Sequence, residues 1–178
     1  MDITEWQRTL RARSGAASKL RGTTNPVPAV AVRVAVGADH GGFDLKESLK
    51  PALREWGYEV DDVGTTSREP VDYPDTAVAV ARRVATGACS LGIAIDAAGL
   101  GSCMAANKIR GVRAATCHDE TTVRNSREHN NANVLVLGSQ VVNAGHARRL
   151  VRIWLATPFA GGRHEKRVRK IDALDSER

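Results

Sequence analysis

From residue 32 onward, short apolar runs alternate with segments whose apolar positions return every three or four residues. The runs are Val32 to Val36, Tyr58 to Val63, Leu91 to Ile95, Val112 to Cys117 and Val134 to Leu137. Phe43 to Trp56 and Asp75 to Ala85 carry the helical spacing, and a helix is expected after each later run. Gly57 marks the end of the first helix, and Pro158 limits one from about Ala144 to Ala156. A last helix is expected from Arg163 to about Leu174. Strands apolar on both faces and separated by helices imply a parallel sheet covered on both sides. The pattern therefore predicts an α/β domain with a five-stranded open sheet. Such sheets hold ligands beyond the carboxyl ends of their strands, where the strand order reverses.

Residues 1–30 break this rhythm. Ile3, Trp6 and Leu10 share one side of a short helix, and a Gly/Ser/Pro-containing stretch to Pro28 follows. The expected organisation is an N-terminal extension over 1–30, made of a short amphipathic helix and a linker, followed by one domain over 31–178. At 178 residues and 42% hydrophobic content, that domain can bury a core of its own. No run approaches the roughly 18 apolar residues of a membrane span, and the polar start Met1-Asp2-Ile3-Thr4-Glu5 lacks the order of a secretory signal. A cytoplasmic protein is expected. Cys89, Cys103 and Cys117 form no CxxC pair, so neither a disulfide framework nor a zinc knuckle is suggested. The net charge of +6 suits an anionic partner. With few aromatics and no single basic run, small phosphorylated molecules fit that charge better than nucleic acid does.

Chemistry concentrates in four loops. Gly37-Ala38-Asp39-His40-Gly41-Gly42-Phe43 sets an acid beside an imidazole at the end of the first strand. Asp39 there orients His40, holds a substrate hydroxyl or caps the coming helix, and His40 suits a sugar oxygen or a phosphate. The third strand ends in Asp96-Ala97-Ala98-Gly99-Leu100-Gly101-Ser102, whose small residues let backbone N–H groups approach an oxyanion at a helix start. Later, His129 precedes Asn130 and Asn131, a set suited to a polyol and to acid–base help at a sugar ring oxygen, and equally to the end of a helix. Arg163 and Arg167 lie four apart, on one helix face, where two guanidinium groups can grip one phosphate or simply face solvent.

In this order the segments GADHGGFDLK (37–46), DYPD (72–75), GLGSCMAANKIRGVRA (99–114), SREHNNANVLVLGS (126–139) and GGRHEKRV (161–168) resemble the ribose-5-phosphate isomerase B family, which includes the galactose-6-phosphate isomerase subunits. The resemblance runs from about Val32 to Leu174. It implies a Rossmann-like fold with strand order 2-1-3-4-5 and helices on both faces, and an aldose–ketose isomerase acting on a phosphorylated sugar through a cis-enediolate. It also implies a homodimer, or a tetramer built from it, with active sites shared between subunits. By family position Asp39, His40 and Tyr73 bind substrate, His129 assists ring opening with Asn130 beside it, and Arg163 and Arg167 hold the phosphate. The amides of Ala97, Ala98, Gly99, Leu100 and Gly101 stabilise the enediolate. Neither metal nor organic cofactor is expected, and no nucleic acid or membrane partner.

The departures bear on the proton transfer. Many family members carry a cysteine base at the position of Asp96, and a second branch carries a glutamate at that of Ser102. Gln140 stands where many relatives use an arginine. Asp96 is accordingly the candidate base, with Cys103 behind it. The alternative is a non-catalytic sugar-phosphate sensor on the same fold. Finally, residues 1 to about 20 resemble the encapsulation peptides that carry enzymes into bacterial microcompartments, so docking on a shell protein is expected alongside packing on the enzyme itself or a disordered tail.

Overall fold

The protein, studied as a computed structural model, is described over residues 32–177; the expected N-terminal helix, its linker and any shell docking lie outside the described residues. Five parallel strands, β1 (Arg33–Ala38), β2 (Glu59–Asp62), β3 (Leu91–Asp96), β4 (Ala114–Thr116) and β5 (Val134–Gly138), form one sheet. Helices α1 (Phe43–Glu55), α2 (Tyr73–Ala85), α3 (Gly101–Ala106), α4 (Glu120–Glu128), α5 (Ala144–Ala156) and α6 (Arg163–Ala173) connect and follow them.

Side chains alternate across the central strands as a pleat requires. Val34, Val36, Ile93, Ile95, Leu135 and Leu137 meet α1 and α5, around Leu49, Leu53, Leu150 and Trp154. The opposite face carries smaller residues, Ala35, Ala94, Val134 and Val136, against Val80 and Ala81 of α2 and Ala106 of α3. Helices on both faces are thus as expected.

The strand order is corrected: the sheet runs β2-β1-β3-β5-β4, not 2-1-3-4-5. β5 lies between β3 and β4, pairing Gly92 with Val134 through Asp96 with Gly138 on one side and Ala114 to Thr116 on the other. Burial explains the exchange. Val134–Gly138 is covered along its whole length, whereas Ala114–Thr116 is three half-covered residues, and the shorter, less apolar strand takes the edge. The reversal between β1 and β3 survives the correction, and the Asp39 and Asp96 loops open there.

Lys46, on α1, has a wholly buried side chain and donates to both carboxylate oxygens of Asp62 at 2.8 and 2.7 Å. Glu47 and Lys50 complete the cluster, with Lys50 bonded to both acids. Burial pushes the Asp62 carboxyl up, but hydrogen bonds from Lys46 and Lys50 outweigh it and hold it below its ordinary value; the bond from Lys50 does the same for Glu47. Asp62→Ala should therefore cost about 2–3 kcal/mol at pH 7, less than the roughly 3–5 of a fully buried pair because Glu47 remains. Both carboxyls are depressed in the folded state, so their contribution is full above about pH 4 and disappears as pH falls below it. Urea denaturation at pH 7 and pH 3 checks this: the gap between wild type and variant should shrink at the lower pH.

Candidate active site

At the β1 exit the chain turns sharply into α1. The Asp39 amide donates to the Ile95 carbonyl at 3.3 Å, and the buried Asp39 carboxylate accepts the Gly42 amide at 2.9 Å. A side chain at Gly42 would strike the Ile95 carbonyl, its Cβ only 2.6 Å away, so glycine is what allows this loop to lie on β3. Asp39 thus shapes the turn with one carboxylate oxygen, while the other accepts no hydrogen bond among the described residues. His40 is exposed, with Nδ1 3.2 Å from the carbonyl and 3.3 Å from the amide nitrogen of Val71. That contact docks the segment leading to Tyr73, the first residue of α2. The Tyr73 ring lies over Gly101, where a Cβ would come within 2.4 Å of it.

Asp96 ends β3 and is 5% exposed. One carboxylate oxygen accepts the Gly99 amide and the other accepts the Ser102 amide at 2.9 Å. The carboxylate therefore folds its own loop around itself, and a second lone pair on each oxygen is left over. The Asp96 and Ala97 carbonyls accept the Ser139 and Gln140 amides at 2.8 and 3.0 Å, and Thr116 bonds the Gly99 carbonyl. Among the described residues the amides of Ala98, Leu100 and Gly101 make no hydrogen bond. Ala98 and Leu100 are exposed, so these donors sit in an open loop at the mouth of the sheet. Among the described residues the buried Ser102 hydroxyl has no hydrogen-bond partner. Cys103 sits within α3 and its thiol donates to the Ala114 carbonyl at 3.4 Å, which binds α3 to β4.

The other half of the expected site lies elsewhere. Asp119 caps α4 by accepting the Thr122 amide at 2.8 Å, and the helix ends on His129. The Asn125 side-chain amide meets His129 Nδ1 at 2.8 Å, and Asn130 bonds back to Asn125. Asn131 takes the left-handed conformation, φ 48°, that turns the chain toward β5. His129 stacks on His164, with ring centroids 4.1 Å apart and planes within 5°. Arg163 Nε donates to His164 Nε2 at 3.4 Å, and exposed Arg167 follows one turn later on α6. Burial, then His129, Arg163 and Arg167, push the His164 imidazole below its ordinary pKa. A protonated ring here would sit among like charges, which is the environment an anion relieves.

His129–Asn133 lead into the start of β5, and Asn133 receives the Gly92 amide at the start of β3. Asp96 pairs with Gly138 at the far ends of those strands. From Val134 to Gly138 is four residue steps, about 13 Å at roughly 3.3 Å per step. One chain therefore gathers Asp39, His40, Tyr73 and the 96–101 loop at the carboxyl ends of the strands, and His129, Asn130, Arg163 and Arg167 at the amino ends. His164 and Asn125 were not singled out from the sequence, although each is legible in hindsight: His164 lies beside Arg163, and Asn125 one helical turn before His129.

The sequence model of the family described as Ribose/Galactose Isomerase matches residues 34–171, which spans the sheet and both groups of site residues. The chain belongs to that family. Ribose-5-phosphate isomerase B of Escherichia coli is 44% identical over 146 residues, covering 82% of this chain and 98% of that one. D-erythrulose-4-phosphate isomerase of Pectobacterium atrosepticum is 36% identical, covering 78% of this chain and 91% of its own length. The solved structure of ribose-5-phosphate isomerase B from Clostridium thermocellum superposes with a TM-score of 0.81 at 46% identity, covering 82% and 99% of the two chains. This ribose/galactose isomerase family member is thus an aldose–ketose sugar-phosphate isomerase. No helix among the described residues is long and apolar enough to cross a membrane.

Proposed function

We propose that the protein interconverts an aldose phosphate and a ketose phosphate through a cis-enediolate, at a site formed by two copies of the chain. The separation of the two groups of site residues to opposite ends of the sheet is the observation that carries this reading. A small sugar phosphate cannot bridge them within one chain, whereas a homodimer can set the amino-end group of one subunit against the carboxyl-end group of the other. Arg163 and Arg167 then anchor the phosphate, and His129 with Asn130 opens the ring at its oxygen. Asp96 of the other subunit takes the C2 proton of the open aldose and returns it to C1, while the O2 proton moves to O1. The free amides of Ala98, Leu100 and Gly101 meet the negative charge on the enediolate oxygens, and Asp39, His40 and Tyr73 contact the sugar.

Relatives named for ribose 5-phosphate and D-erythrulose 4-phosphate frame the substrate class. Alanines at 97 and 98 and Gln140 beside the loop give this site fewer side-chain donors than a hydroxyl- and arginine-bearing one, so tetrose and hexose phosphates belong in the panel with ribose 5-phosphate. A coupled assay of aldose and ketose phosphates should find one converted; stabilisation by ligand without turnover across the panel would return the sensor reading. Arg163→Ala and Arg167→Ala should each weaken phosphorylated ligands by about 1.5–3 kcal/mol, as read by calorimetry, and leave unphosphorylated sugars almost unchanged. Equal losses for both would mean that the arginines act through folding or the dimer.

A further inference from the structure

Arg127 is a buried cation that the proposed chemistry does not use. It is 5% exposed, and no carboxylate among the described residues pairs with it. Its guanidinium instead donates Nε to the Thr157 carbonyl at 3.2 Å, and Nη1 to the Ala132 carbonyl at 2.5 Å and the Asn131 side-chain oxygen at 3.4 Å. Its Cζ lies over the Trp154 ring, 5.4 Å from the ring centroid. Burial, with Arg113 nearby, pushes its pKa down to about 10. A buried charge satisfied only by neutral acceptors is a poor way to stabilise a fold, since an apolar side chain of similar volume would avoid the desolvation.

The three acceptors lie on the two segments that lead to the amino-end half of the site. Asn131 and Ala132 form the turn after His129 and Asn130. Thr157 ends α5, and only 158–162 separate it from Arg163. The Ala160 amide donating to the Glu128 carbonyl at 3.0 Å closes the same junction. We propose that Arg127 is a positioning residue: by tying the turn after His129 to the end of α5, it sets the His129–His164 stack and the Arg163/Arg167 pair in one fixed arrangement that takes the substrate phosphate. This rests on the reading of His129, Arg163 and Arg167 as the phosphate-side half of the site. Arginine is suited to it because one planar fork reaches both segments, whereas a lysine ammonium reaches such a spread of acceptors less completely.

The test compares Arg127→Met and Arg127→Lys with wild type in the full-length dimer. The histidine ring protons are followed by NMR during titration with inorganic phosphate, and KM and kcat are measured on the sugar phosphate that wild type converts. In Arg127→Met the upfield ring-current shifts of His129 and His164 should diminish and phosphate should bind at least 10-fold more weakly, with KM raised by a similar factor and kcat lowered as well, because a displaced His129 opens the ring less well. The melting temperature should stay within a few degrees of wild type, and Arg127→Lys should recover part of the affinity. Unchanged ring shifts and phosphate affinity in Arg127→Met would overturn the proposal. So would melting and affinity falling together in both variants, which marks a purely structural arginine. If Arg127→Met does not fold, Arg127→Lys decides by the same shifts and affinity. Should wild type convert no sugar phosphate, the functional reading fails on that arm, while the NMR arm still decides whether Arg127 sets the stack.

Discussion

Replacing Asp96 by asparagine should lower kcat by about 10³-fold, within the roughly 10²–10⁴ range of a positioned general base. The amide cannot take the C2 proton. The geometry adds a second effect, because both Asp96 oxygens accept loop amides, from Gly99 and Ser102. Asparagine must turn an NH2 toward one of them, leaving a buried donor against a donor, at a cost of about 1–3 kcal/mol. The variant should therefore lose turnover and some stability together, and the two are separable by assaying well below the melting temperature with binding of the sugar phosphate measured in parallel. Asp96→Cys restores the residue that many family members carry and forgoes the double acceptance. It should turn over at least 10-fold faster than the asparagine variant while melting no higher than wild type. Near wild-type kcat in Asp96→Asn would remove Asp96 from proton transfer and leave it as the acid that shapes the loop.

Much of this architecture is readable in the chain. The three central strands announce themselves because each must be apolar on both faces to lie under two helix layers, as in Val134-Leu135-Val136-Leu137, whereas the edge strands Glu59–Asp62 and Ala114–Thr116 are only partly covered. Their neighbours do not. Nothing in the periodicity of Val112 to Cys117 says that only Ala114–Thr116 pairs, or that the chain then returns inward to lay β5 against β3. That choice depends on how much of each strand is covered once the helices are in place. The site divides in the same way. Asp39, His40 and Asp96 stand out because strand ends at a reversal of strand order are where ligands bind. The capture of the Asp96 carboxylate by its own loop, the parallel stack of His129 on His164, and the hold of Arg127 on Thr157 join residues 3 to 35 positions apart and appear only when the tertiary structure is formed.

The separation of Asp96 from His129 carries the second large effect. His129→Asn and Asp96→Asn should each be nearly inactive as pure dimers, the first for want of a group at the ring oxygen and the second for want of a base. Co-expressed with different tags and paired at random, half of the dimers are hybrids. In a hybrid one of the two sites combines the intact Asp96 of one chain with the intact His129 of the other, so the mixture should recover about a quarter of wild-type activity, and a purified hybrid about half. If Asp96 and His129 instead served one site within a single chain, every chain in the hybrid would carry a defect. The most direct test of the shared site is therefore the turnover of the purified Asp96→Asn/His129→Asn hybrid: about half of wild type is the predicted result, and activity no higher than that of the two pure variants would contradict it.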